Sequence, residues 1–162
     1  MLNAVLIGVG ATAFMDVTSL VRARLGAPFP DYPLVGRWLA HAARGRVFHD
    51  AIAKSAAMKG EAAIGWVAHY AIGVGYAALL LVASPGWAAA PSFAPAMFVG
   101  LATALAPFLI MQPGMGAGVF ASRTPNPNTA RLRTLISHAL FGLGLYVAGL
   151  AHVEIISATS IF

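Results

Sequence analysis

The feature that most constrains this sequence is the apolar run from Ala62 to Val82, which contains a single histidine, His69. About 20 apolar residues, each rising about 1.5 Å along a helix, cover the hydrocarbon core of a bilayer. No acidic or basic residue interrupts the run. The run therefore predicts a transmembrane helix.

The composition of the whole chain points the same way. Hydrophobic residues make up 59% of the 162 residues and charged residues 9%, against the roughly 25% charged residues of an ordinary soluble domain. The chain has no cysteine, which excludes disulfides and thiolate metal ligands. We therefore expect an integral membrane protein whose ligands, if it has any, are held by other side chains.

Four long apolar segments predict four membrane spans in one transmembrane domain, 1–162. The expected spans are 2–21, 62–84, 94–118 and 135–157, and the connections 22–61 and 119–134 lie on the same side. Pro107 and the Gln112–Gly116 cluster predict a kink or a broken last turn in the third span. From Leu34, apolar residues recur at helical spacing around Trp38, which predicts a short amphipathic helix in the first connection.

The basic residues predict how the spans are oriented. All ten Lys and Arg lie in the two connections 22–61 and 119–134. The positive-inside bias then places both connections in the cytoplasm of a bacterial cell and both termini in the periplasm, with the protein in the inner membrane. The basic side chains would meet the bilayer's anionic lipid head groups, and we expect no nucleic-acid partner.

A short internal repeat suggests how the four spans are arranged. The pattern His69, Gly73, Gly75 recurs in the fourth span as His138, Gly142, Gly144. The repeat predicts two tandem helical hairpins related by a parallel pseudo-two-fold axis along the membrane normal. The predicted fold is an all-α polytopic four-helix bundle with an added cytoplasmic amphipathic helix.

Each predicted span carries one polar residue at a similar depth, about 6 to 12 Å from the cytoplasmic interface. These residues are Asp16, His69, Gln112 and His138. Polar groups inside membrane spans are costly and often mark pathways for ions or substrates. Three interpretations stay open: a layer that binds or passes a small ligand or proton, a haem or divalent-metal site using His69, His138 and Asp16, and hydrogen bonding that only joins the helices.

Two further groups of residues have predicted roles outside this layer. Arg123, Arg131 and Arg133 precede the fourth span and would contact a phosphate or an anionic lipid head group. Glycines within the spans permit close helix packing, which we expect at Gly65, Gly73 and Gly142. Catalytic signatures such as G-x-S-x-G, a P-loop or H-E-x-x-H are absent from the sequence.

Three stretches of the chain resemble a known family. They are VGRWLAHAARGRVFHD at 35–50, IGWVAHYAIGVGYAALL at 64–80, and the stretch from APFLIMQPGMGAG to LFGLGLY at 106–146. Over nearly its whole length the chain resembles a family of small bacterial inner-membrane proteins catalogued as a domain of unknown function. The resemblance implies four spans and no established activity.

These observations favour a non-enzymatic membrane protein that binds or passes a small ligand through the polar layer. The alternative is an accessory or structural subunit of a larger membrane complex, and a bis-histidine haem or metal-binding protein is a further one. We expect no cofactor in the favoured case. Because the chain is small for a transporter, it would act as a homo-oligomer or beside a larger membrane-protein partner.

Overall fold

Helices account for the regular structure of this protein, for which a computed structural model describes residues 1–159. No strand occurs in the described residues, so the all-α prediction is confirmed. The α-helices are α1 (Leu2–Arg24), α2 (Tyr32–Ala42), α3 (Glu61–Ala83), α4 (Phe93–Ala102), α5 (Gln112–Met115) and α6 (Pro127–Thr159). A π-helical turn covers Pro107–Met111, and short 3₁₀ turns cover Ile52–Lys54 and Val119–Ala121.

Four helical segments among the described residues are long and apolar enough to cross a membrane. They are Leu2–Arg24, Glu61–Ala83, Phe93–Met115 and Pro127–Ala158, with mean hydropathies between 1.7 and 2.0. This confirms the prediction of a small membrane protein with four transmembrane helices. The predicted amphipathic helix is α2, which starts two residues earlier than expected because the Asp31 side chain accepts a hydrogen bond from the Leu34 N–H at 3.1 Å.

The third apolar segment is interrupted around Pro107, one of the two places that the sequence suggested. Regular helix ends at Ala102, and a π-helical turn follows from Pro107. Proline has no N–H to donate to the carbonyl four residues earlier, here Thr103, and its ring crowds that carbonyl. The helix is therefore broken one turn before Pro107, and a single helical turn, Gln112–Met115, follows the π-helical turn and ends at left-handed Gly116.

Helix α6 begins eight residues before residue 135, the predicted start of the fourth span. Pro127 is the first residue of α6, and the Ala130 N–H donates to the Asn126 carbonyl at 3.1 Å. Proline suits this first helical position because its missing N–H would have no partner there. The predicted span is thus preceded by two helical turns that carry Arg131 and Arg133.

The described chain divides into two compact units. Unit 1 consists of Met1–Phe29, Tyr70–Thr103 and the described part of Ser137–Phe162. Its core is apolar and contains Ile7, Ala11, Ala77, Leu80, Trp87, Ala96, Val99, Phe141 and Leu145.

Small residues let the helices of unit 1 approach closely at two places. A Cβ at Gly8 would lie 2.5 Å from the Cα of Val74, and a Cβ at Gly100 would lie 2.5 Å from the Cα of Gly142. Glycine at these positions allows backbones to touch, which is how helices associate where no hydrophobic force drives them together. Helix α1 therefore packs on α3, and α4 packs on α6, through glycine.

Unit 2 consists of Pro30–His69 and Ala104–Ile136. In it, α2 crosses the start of α3 through two glycines. A Cβ on Gly36 would overlap the Glu61 carbonyl oxygen, and one on Gly65 would overlap the Tyr32 carbonyl oxygen. Helix α2 is therefore in direct backbone contact with the start of α3. The predictions of one domain over 1–162 and of a pseudo-two-fold axis stay predictions.

Candidate functional site

In unit 1, a tyrosine and an aspartate form a hydrogen bond between two helices. The Tyr70 hydroxyl on α3 donates to Oδ2 of Asp16 on α1 at 3.0 Å. Asp16 lies eight residues before Arg24, where α1 ends, which corresponds to about 12 Å along the helix. A carboxylate at that depth needs a donor, because an unpaired charge in low dielectric is costly. Tyr70 supplies one such donor.

A second polar pair in unit 1 joins α6 to the end of α4. Nδ1 of His138 lies 3.1 Å from the Thr103 hydroxyl oxygen and 3.2 Å from the Gly100 carbonyl oxygen. The Thr103 hydroxyl donates to the same carbonyl at 2.7 Å. A carbonyl oxygen only accepts, so Nδ1 donates to it in the tautomer that carries the proton on Nδ1. Nε2 of a neutral His138 is then the nitrogen with the lone pair.

Both pairs lie near a glycine contact between their two helices, but not at the same distance from it. Asp16 lies one helical turn from Thr12, which is buried against Gly73, and Tyr70 lies one turn from Gly73 itself. Thr103 and His138 each lie one turn from the Gly100 and Gly142 contact.

The other two residues of the predicted polar layer belong to unit 2. The ring of His69 stacks on Tyr32, with centroids 4.1 Å apart, and meets Trp66 edge-on at 5.9 Å. The Gln112 side-chain amide donates to the Thr134 hydroxyl at 3.2 Å. Asp16 and His138 therefore have partners in unit 1, and His69 and Gln112 have partners in unit 2. That the four residues act together as one layer stays a prediction.

The three arginines before the fourth span differ in their surroundings. Arg131 donates from Nε to the Phe120 carbonyl at 2.8 Å, where Phe120 has a left-handed backbone with φ of 50°. Left-handed backbone is strained for a bulky residue, so this bond gives Arg131 a structural role. Arg133 lines a surface depression with Thr124 and Asn126, and Arg123 is exposed. Anion contact by these arginines stays a prediction.

The glycines predicted for packing all lie at helix contacts. A Cβ at Gly73 would overlap the Thr12 hydroxyl. A Cβ at Gly142 would lie 3.1 Å from both the Ala96 carbonyl oxygen and the Met97 Cα. Gly65 contacts α2, an amphipathic helix, rather than another span.

An ion pair that sequence reasoning missed anchors the first connection. Arg37 donates through Nε and one terminal nitrogen to the two Glu61 carboxylate oxygens, at 2.8 and 2.7 Å. Its other terminal nitrogen donates to the Ala53 and Ser55 carbonyls at 3.3 and 3.2 Å. The hydrogen bonds to Glu61 raise the pKa of Arg37 above its ordinary value. The two residues are 24 positions apart, so no local pattern signals the pair.

A metal centre would require several ligating side chains to converge. Within residues 1–159, no group of three or more His, Cys, Asp or Glu side chains is placed to hold a metal ion. His138 and Asp16 have the hydrogen-bond partners described above, and His69 packs in unit 2. Among residues 1–159, the structure therefore offers no cluster of ligands that would support the metal or the haem interpretation.

Comparison with known proteins places the chain in a family. The model of the family described as "Protein of unknown function (DUF2938)" matches residues 5–152, and the chain belongs to that family. The resemblance noted from the sequence is thereby confirmed. No curated protein and no solved structure matches the chain.

Proposed function

This chain is a member of a family without an assigned function. We propose that two polar pairs of unit 1, Asp16 with Tyr70 and Thr103 with His138, bind or pass a small ligand without catalysing a reaction. The observation that carries the proposal is the occurrence of two polar contacts between helices of unit 1, Asp16 with Tyr70 and Thr103 with His138. Each joins two helices that are long and apolar enough to cross a membrane, near a glycine contact between them. Hydrogen bonding between helices can be structural, but ionisable residues at this depth are typical of ligand and proton pathways.

The chemistry of the groups favours a proton or a small cation as the ligand. A carboxylate accepts protons and binds cations, and a neutral imidazole with a protonated Nδ1 accepts at Nε2. Tyrosine and threonine hydroxyls both donate and accept, so they can connect such groups without carrying charge. No positively charged side chain belongs to either pair, which argues against an anionic ligand.

We further propose that the protein lies in the bacterial inner membrane with both connections in the cytoplasm and both ends of the chain in the periplasm. Support comes from the positive-inside bias, because all ten Lys and Arg lie in the two connections 22–61 and 119–134, which four spans place on the same side of the membrane. The absence of cysteine permits a direct test with single-cysteine variants. In intact cells, an impermeant maleimide should label Ser92→Cys and leave Lys59→Cys unlabelled. The reverse labelling would refute this topology.

Proton flux tests the ligand proposal. The purified full chain is reconstituted into liposomes that contain a pH-sensitive dye, and a potassium diffusion potential drives proton entry. We expect the wild type to acidify the lumen faster than empty liposomes do. Asp16→Asn, which keeps the shape but removes the titratable group, should reduce the rate to that of empty liposomes.

Asp31→Asn is the matched control for this experiment. Asp31 is an exposed carboxylate outside the spans that caps α2, and asparagine caps helices equally well. This variant should conduct like the wild type. If Asp16→Asn conducts as the wild type does, Asp16 is not on the pathway. If the wild type conducts no protons, the same assay with sodium or potassium gradients decides whether any small cation passes, and no flux of any of them would refute the proposal.

The accessory-subunit alternative depends on a different surface. Gly73 packs inside the chain, so a bulky residue there would disrupt this protein before it disrupted a complex. Gly75 is exposed, and a Cβ there would meet nothing within 4 Å. Exposed small residues on a membrane helix favour association with another helix. Loss of a co-purifying protein on Gly75→Leu would support the accessory role.

A further inference from the structure

We propose that the loop 44–48 is a membrane-surface anchor that binds anionic lipid head groups. This loop follows α2 in unit 2 and reads Arg44, Gly45, Arg46, Val47, Phe48. The Phe48 side chain is 73% exposed and that of Val47 is 40% exposed, and both arginines are exposed. An apolar tip flanked by basic residues is the composition that suits the boundary between head groups and acyl chains.

The loop is held firmly although its side chains point outwards. Trp38 Nε1 donates to the Val47 carbonyl at 2.8 Å, and the His49 N–H donates to the Gly114 carbonyl at 3.0 Å. His49 itself is buried, with 6% of its surface exposed. A phenylalanine between two such fixed points loses little further freedom when it enters lipid, because the backbone is already ordered.

The position of Gly114 sets the level of the loop relative to the membrane. The third span covers Phe93–Met115, so Gly114 is the last residue but one of that span. Since the His49 backbone is bonded directly to Gly114, the neighbouring Phe48 lies level with the end of this apolar segment. The indole of Trp38 is also packed on Gly114, with Nε1 2.5 Å from the position a Cβ would take. Aromatic side chains are enriched at this depth.

Charge favours anionic lipid over a neutral surface. Eight of the ten Lys and Arg of the chain belong to unit 2, whose only carboxylates are Asp31, Asp50 and Glu61. Glu61 is paired with Arg37. The Arg44 guanidinium contacts the Met58 sulfur at 3.8 Å, and no ion pair is found for Arg44 or Arg46 in residues 1–159. Both arginines therefore remain available to phosphate oxygens.

Fluorescence quenching in vesicles tests the proposal directly. Because the chain has no cysteine, Phe48→Cys carries one bimane probe and nothing else reacts. The labelled full-length protein is reconstituted into phosphatidylcholine vesicles with phosphatidylglycerol, and a nitroxide is placed near the top of the acyl chain of one lipid or the other. We expect quenching by both lipids, with stronger quenching by the phosphatidylglycerol nitroxide at equal lipid fractions.

The arginines should account for that preference. Each basic residue at an anionic surface shifts lipid binding by about fivefold, so Arg44→Gln and Arg46→Gln should each lower the preference by up to about that factor. Val82→Cys is the matched control, since Val82 is 78% exposed at the uncharged end of α3. A probe there should be quenched equally by both nitroxide lipids.

Three results would overturn the proposal. A probe at position 48 that neither lipid quenches is not in the membrane. Equal quenching by both lipids, unchanged in the arginine variants, shows that anionic head groups are not recognised. Protection from both lipids together with self-quenching that rises with the protein-to-lipid ratio shows that a second copy of the chain covers the loop.

Discussion

Substituting Gly100 with alanine tests the close packing on which the polar contacts of unit 1 depend. The added Cβ would lie 2.5 Å from Gly142 Cα, 2.7 Å from Gly142 N and 2.8 Å from the His138 carbonyl oxygen. All three neighbours are backbone atoms, which no rotamer change can move. Carbon atoms pack at about 3.5 to 4.0 Å, so α4 and α6 must separate by about 1 Å or more.

Such overpacking costs about 1 to 3 kcal/mol, a substantial part of the stability of a small protein. The separation would also lengthen the contacts of His138 Nδ1 with the Gly100 carbonyl and the Thr103 hydroxyl, because these two contacts cross from α6 to α4. The free energy of unfolding is measured by titrating mixed micelles with sodium dodecyl sulfate and following the helical circular dichroism. We expect Gly100→Ala to be destabilised by that amount.

Gly75→Ala is the matched control. The same methyl group is added to a helix at an exposed position where a Cβ meets nothing within 4 Å. Alanine is the better helix former by about 1 kcal/mol, so this variant should be as stable as the wild type or more stable. If Gly100→Ala matched Gly75→Ala in stability, the inferred contact between α4 and α6 would not exist in the folded protein.

Three other perturbations follow from the same contacts. Arg37→Leu removes the ion pair and two carbonyl contacts that hold the first connection, so in detergent, where no bilayer covers Phe48, chymotrypsin should cut at this residue faster than in the wild type. Arg37→Lys, which lacks the planar fork of arginine, should be cut at an intermediate rate. Because the pKa of Arg37 is raised, its charge is complete below the ordinary arginine pKa and is lost only above it, so protection by Arg37 should persist through the mildly alkaline range. Trp38→Phe removes the donor to the Val47 carbonyl and should also speed cleavage at Phe48, with amide exchange of 47–49 as a second readout. Thr103→Val keeps the shape of the side chain but removes one partner of His138, so the NMR resonances of the His138 imidazole should shift. An unchanged imidazole spectrum would contradict the contact.

Much of the architecture could be predicted from composition alone, since the physical requirement is simple. A run such as Ala62–Val82 has no stable place in water, and its length matches a bilayer. The end of α1 near its two arginines and the start of α3 at Glu61 could be located to within a few residues. The start of α6 was less accessible, because Asn126 and Pro127 are as typical of a turn as of a helix N-terminus.

The candidate site was only half visible in the sequence. Asp16 and His138 stand out because ionisable residues are rare in apolar spans. Tyr70 and Thr103 do not, because tyrosine and threonine are ordinary residues in a membrane helix. The ion pair of Arg37 with Glu61 was equally hidden, since only the crossing of α2 over α3 brings the two side chains together.

Hydropathy and charge along the chain were enough to establish a membrane protein with four apolar helices and basic residues confined to two connections. Local composition suffices for both, because insertion depends on hydrophobicity and length. The side chain that each helix presents to its neighbour depends instead on how the helices pack. A helix that is apolar all round carries almost no signal in its sequence for which side faces a neighbour. Packing through Gly73 brings Tyr70 to Asp16, and packing through Gly142 brings His138 to Thr103. The ring of His69 stacks on Tyr32 instead.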